Sequence, residues 1–148
     1  MSNKANQVQL EILNRVKAKF PTATVKTGWA SSYLQNVEQW PLITIGPVAS
    51  RATFQSKAIK DDMQFHIQLV EHDNDEPETL ADRLNIYLVN LRTALFAQKS
   101  EDRFNNWHGM LSAQPTEDSE TSYIEPSPGQ PWAGLSLILT TTYSEKLE

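Results

Sequence analysis

Val8, Ile12, Val16 and Phe20 recur four apart with Leu13 beside them, while Glu11, Asn14, Arg15, Lys17 and Lys19 fall mostly elsewhere on the wheel. That spacing predicts an amphipathic helix over residues 5–20. Lys17 and Lys19 sit in its last turn, where cations oppose the negative end of the macrodipole, and Pro21 marks the stop. Thr22 to Thr27 is β-branched and closes on Gly28, which reads as a short strand and a turn. Gly28 to Gln39 keeps no period and reads as an irregular excursion ending at Trp40-Pro41. Leu42-Ile43-Thr44-Ile45 predicts a short buried strand closed by Gly46-Pro47. From residue 63 to 70 the pattern alternates, with Met63, Phe65, Ile67 and Leu69 facing one way and Gln64, His66 and Gln68 the other, which is the clearest strand signal in the chain.

The run from His72 through Asp73, Asn74, Asp75, Glu76 and Pro77 to Glu78 concentrates N-cap residues and early acids around a proline suited to a first helical turn. Leu80, Leu84, Tyr87, Leu88, Leu91 and Leu95 then repeat at three and four, predicting a helix through Gln98. Trp107 to Ala113 is expected as a strand. Residues 114–131, with four prolines among acids and hydroxyls, are expected as a long loop with a short extended piece at Tyr123-Ile124. Gly134 to Tyr143 closes the chain as a strand, Leu135, Leu137 and Leu139 alternating with Ser136, Ile138 and Thr140. The order α-β-β-β-α-β-β predicts one α+β domain over residues 1–148. Strands joined without crossover helices pair most simply as antiparallel neighbours, so a mostly antiparallel sheet of about four to five strands carries both helices on one face.

Composition narrows the function without naming it. The chain has 148 residues, no cysteine and a formal net charge of -5, so disulfide staples, thiolate nucleophiles and cysteine-bearing zinc sites are excluded. No apolar run reaches the roughly 18 residues that span a bilayer, and the polar N-terminal residues lack the apolar stretch of a secretory signal. The acidic balance argues against specific nucleic-acid binding.

Candidate chemistry is sparse. His66, His72 and His108 are the only imidazoles. Positions six apart in a strand lie about 20 Å apart, so His66 and His72 are expected to face solvent rather than share a metal. Counting a calcium loop from Asp73 puts Glu78 where glycine is required and Leu84 where glutamate is required. No Gly-x-Ser-x-Gly elbow surrounds a serine, and Gly129 and Gly134 are followed by Leu135-Ser136 rather than the Lys-Ser/Thr of a phosphate loop. Asp61-Asp62 and Glu117-Asp118 are adjacent acids in polar stretches, where solvated carboxylates are the norm. The reading is a chain without cofactor, metal or catalytic residues.

Two features stand out. The stretch 50–60 carries Arg51, Lys57 and Lys60 with an apolar Phe54 in an acidic protein. It reads as a protruding arm or hairpin tip that is either a solvated turn or a contact surface for an acidic partner or an identical subunit. Trp29, Tyr33, Trp40, Trp107 and Trp132 lie in or beside the non-periodic segments, and Trp132, between Pro131 and the last strand, is expected to be the exposed one.

Four pieces carry a family resemblance: Val8-Gln9-Leu10-Glu11-Ile12-Leu13 running to the Phe20-Pro21 stop; Trp40-Pro41-Leu42-Ile43-Thr44-Ile45; the Met63 to Leu69 strand followed by Leu80 to Leu95; and Trp132-Ala133-Gly134-Leu135 on to Tyr143. In element order and pattern the chain resembles the bacteriophage tail terminator, or tail completion, family of minor tail proteins. The resemblance implies a non-enzymatic structural protein that forms a hexameric ring on the last ring of the tail tube, ends tube growth and meets the head connector. It implies the bacterial cytoplasm during assembly and the virion tail afterwards, with itself, a tail tube protein and a head-connector protein as partners. It also implies that Arg51, Phe54, Lys57 and Lys60 touch a neighbouring subunit or the tube and that the 114–131 segment, with Trp132 behind it, lies on a docking face. A neck or head-completion subunit of the same particle, and a small ligand-binding or enzymatic α+β domain, are the alternatives.

Overall fold

The computed structural model describes residues 3–72 and 77–147. Along the chain run α1 (Lys4–Lys19), β1 (Thr24–Thr27), two short 3-10 turns (Ala30–Ser32 and Leu34–Asn36), β2 (Leu42–Gln55), β3 (Ala58–His72), α2 (Pro77–Phe96), β4 (Thr116–Ile124) and β5 (Trp132–Lys146). Helix α1 starts at Asn3, whose side chain accepts the Asn6 N–H at 2.7 Å and satisfies one of the free donors of the first turn. It stops at Phe20, ahead of Pro21, with Lys17 and Lys19 in the last turn. Of the residues that the N-cap and calcium-loop arguments invoke, Asp73, Asn74, Asp75 and Glu76 lie outside the described residues.

The five strands form one sheet in the order β1-β2-β3-β5-β4. β1 runs parallel to β2, and the other three pairings are antiparallel. Ile43, Ile45, Phe65, Ile67, Leu69, Leu135, Leu137 and Leu139 point from one face into a core closed by Val8, Ile12 and Val16 of α1 and Leu84, Leu88, Leu91 and Leu95 of α2. The α+β class and the placement of both helices on one face are therefore as the pattern predicts, whereas β1 and β2, expected as antiparallel neighbours, pair in parallel, because the Gly28–Gln39 excursion carries the chain back before β2 begins. Among the described residues, no helix is long and apolar enough to cross a membrane.

A buried carboxylate ties α2 to the sheet. Glu71, 2% exposed at the end of β3, accepts the Tyr87 hydroxyl at 2.6 Å and lies 3.6 Å from the Arg83 guanidinium. Burial first, and then the Glu71 hydrogen bond, push the Tyr87 phenol up to about 12, so it remains a donor across the physiological range.

The opposite sheet face is polar and partly roofed by the Gly28–Gln39 excursion. The Ala30 N–H donates to Gln68 Oε1 at 3.1 Å. Gly46 permits the close approach, because a Cβ there would stand 2.6 Å from the Gly28 carbonyl oxygen.

Four other expectations are corrected. Trp107 to Ala113 is not a strand: Trp107, His108 and Gly109 have φ of 58°, 56° and 87°, a left-handed run that cannot extend. The Asp102 carboxylate holds it, accepting the Asn106 and Trp107 N–H groups at 3.2 and 3.0 Å. The fourth strand instead lies inside the segment expected as a loop, at Thr116–Ile124. It is an edge strand, polar on both sides, so it shows no alternation. β2 does not close at Gly46-Pro47 but runs on to Gln55, with Pro47 at a register shift and beyond the last residue paired to β1. Finally, Trp132 is half-buried, whereas Trp29 is 50% exposed.

Candidate functional site

The outer halves of β2 and β3 form the arm anticipated at residues 50–60. β1 covers β2 only as far as Ile45, so from Gly46 to Gln55 the chain pairs with β3 alone and then turns through Ser56 and Lys57. Ser56 adopts φ 57° in this tight turn. β5 braces the arm to its tip, where Ala58 stands opposite Lys146 and the Leu147 N–H donates to the Lys57 carbonyl at 2.8 Å. The tip is thus a three-stranded ribbon.

Alternation assigns its side chains. Ala52 lies opposite Asp61 and Phe54 opposite Ile59 on the helix-bearing side, while Arg51 lies opposite Asp62 and Thr53 opposite Lys60 on the other. Phe54 is 76% exposed, the most exposed of the large apolar side chains described. An exposed Phe of this kind forgoes about 1.5–3 kcal/mol of burial; Arg51 and Lys60 lie on the opposite face of the same arm, Arg51 facing Asp62 across the pair, and Lys57 lies in the turn.

The root of the arm is fixed by buried polar contacts. Asp61, 6% exposed, accepts Ser50 Oγ at 2.6 Å and the Tyr143 hydroxyl at 3.0 Å. Asp62 points the other way and accepts Thr142 Oγ1 at 2.8 Å. The adjacent carboxylates therefore occupy opposite faces, as alternation requires. The second acidic pair divides likewise: Glu117 meets Arg92 of α2, and Asp118 accepts the Gln64 amide across β5.

Of the singled-out residues, Arg51, Phe54, Lys57 and Lys60 come together on the arm. Trp132 does not join them, because it pairs with His72 at the far end of the sheet. His66 and His72 are on the polar face of β3, where His66 bonds Ser136 Oγ and His72 packs against the Trp40 ring at 5.5 Å. Burial holds the His66 imidazole below its usual value.

One feature escaped the sequence reading. Between the first half of α2 and the end of β4 lies an apolar groove of 570 Å³, lined by Leu80, Ala81, Leu84, Tyr123, Ile124 and Glu125 among others. Tyr123 and Ile124 remain 50% and 52% exposed within it. The expected extended piece at Tyr123-Ile124 was its only local sign, since the groove exists only where the edge strand meets the helix.

No family model matches this chain, and no curated protein matches it. A solved structure similar to it covers 100% of this chain and 99% of its own, at 16% sequence identity and a TM-score of 0.49.

Proposed function

We propose that this protein is a structural subunit of a bacteriophage or prophage tail, one that caps the tail tube as a ring, ends tube growth and joins the tail to the head. The supporting observation is the braced arm, which carries an exposed Phe54 on one face and Arg51 and Lys60 on the other, beyond the reach of β1. A ribbon so stiffened loses little entropy on docking, which suits a repeated contact between identical subunits. In this role Arg51, Phe54, Lys57 and Lys60 contact the neighbouring subunit or the tube, and the face bearing β4 and Trp132 serves the next component of the particle.

Light scattering over a concentration series, negative-stain imaging and co-sedimentation with assembled tail tubes test the reading. A sixfold ring, or a monomer that caps tubes, is the expected result. A protein that neither assembles nor binds tubes overturns it.

A further inference from the structure

We propose that the arm tip of one copy seats Phe54 in the α2–β4 groove of the next copy, giving a head-to-tail interface. This inference rests on the subunit reading above and specifies the contact that would build its ring.

Three observations converge on it. The first is chemical fit: the tip is an exposed aromatic side chain, and the groove is a 570 Å³ apolar trough, ample for a phenyl ring and its flanks. The second is charge. Lys57, Lys60 and Lys146 lie at the tip against a single described acid there, Glu145, while Arg51 faces Asp62 farther down the arm. The groove is bordered by Glu125, with Glu78 and Asp82 exposed on the opening turns of α2. Complementary rims of this kind steer and orient association.

The third is placement. β5 spans the sheet from Lys146 at the tip to Trp132 at the opposite end, and the Gly134 and Ala133 positions there lie beside Ile124 and the groove. Phe54 lies in the row of Ile59 and Glu145 and Ile124 in the row of Gly134, so eleven steps at about 3.3 Å put tip and groove roughly 35 Å apart. No copy can fill its own groove with its own tip. A donor at one end and an acceptor at the other make a heterologous contact, which propagates from copy to copy and closes into a ring when the rotation permits.

The absence of native cysteine allows a direct test in the full chain. Phe54→Cys and Ala81→Cys variants are mixed and oxidised, with circular dichroism confirming that each is folded; Ala81 is exposed, so its replacement spares the core. The expected result is a disulfide that links one variant to the other in large excess over either homodimer. In parallel, Phe54→Ser raises the concentration for half-assembly about tenfold or more, and added salt weakens assembly of the natural chain. Tip-to-tip Phe54→Cys homodimers alone, or no disulfide at the highest attainable concentration, overturn the proposal. Rings whose subunits fail to cross-link sink this interface but spare the tail reading. Cross-linked open chains that ignore tail tubes keep the interface and sink the tail reading.

Discussion

The Tyr143 hydroxyl donates to the buried Asp61 carboxylate at 3.0 Å, and together with Ser50 it anchors the base of the arm to the last strand. Burial, reinforced by Asp61, raises the Tyr143 phenol above its usual value, so it stays protonated and able to donate. Tyr143→Phe leaves the carboxylate with one hydroxyl donor fewer in a site that water reaches poorly. The expected cost is about 1–3 kcal/mol in chemical denaturation, and an unchanged midpoint would show that the contact contributes nothing.

Gly46→Ala meets backbone rather than a yielding side chain, since the new Cβ would stand 2.6 Å from the Gly28 carbonyl. Either β2 or the 28–39 excursion must shift. A loss of about 1–3 kcal/mol is expected, with hydrogen exchange rising first in residues 28–39. A variant as stable as the natural chain would refute the close approach.

Arg92 and Glu117 form a two-pronged pair at 2.9 and 2.8 Å that clips β4 to α2. The Arg92 hydrogen bond holds the Glu117 carboxyl below its usual value. With the Arg92 side chain 46% exposed, solvent screens the pair, and Arg92→Ala is expected to cost less than about 1 kcal/mol. The difference should shrink in high salt; a larger, salt-insensitive loss would mean that the side chain acts through packing.

Acidification should destabilise the fold in two stages. Burial lowers the folded His66 below the ordinary 6.5, so the unfolded chain takes up this proton first. Its contribution is full above pH 6.5 and is lost as pH falls through the lower folded value. Glu117 follows, its contribution present above 4.5 and lost as pH drops through its own depressed value. Thermal melts of His66→Gln should show a flatter decline just below pH 6.5. An identical slope would remove His66 as the cause.

Where a residue's environment repeats, the sequence was readable. The fourfold spacing of Val8, Ile12 and Val16 and the alternation of Met63 to Leu69 mark positions that meet one core, and both elements are where the periods place them. Trp107 misled because its burial comes from a left-handed turn held by Asp102, beneath the Arg15 guanidinium at 4.7 Å. Neither contact leaves a period. Thr116–Ile124 was unreadable as a strand because an edge strand with both sides wet has no apolar face to repeat.

The candidate site divides in the same way. Local composition sufficed to pick out the arm, since a basic run around Phe54 in an acidic chain is visible without coordinates. How β5 stiffens the tip depends on pairings between residues some 90 positions apart and where the groove opens on segments some 40 apart, and even the hairpin that carries β2 beyond Ile45 gave no period to read. By itself the sequence determined the class, both helices, the strands of the core and the charged arm, because periodicity and composition are short-range properties of the chain. Only the tertiary structure decided that tip and groove stand at opposite ends of one sheet, because strand register is set by which distant segments bury each other's apolar faces.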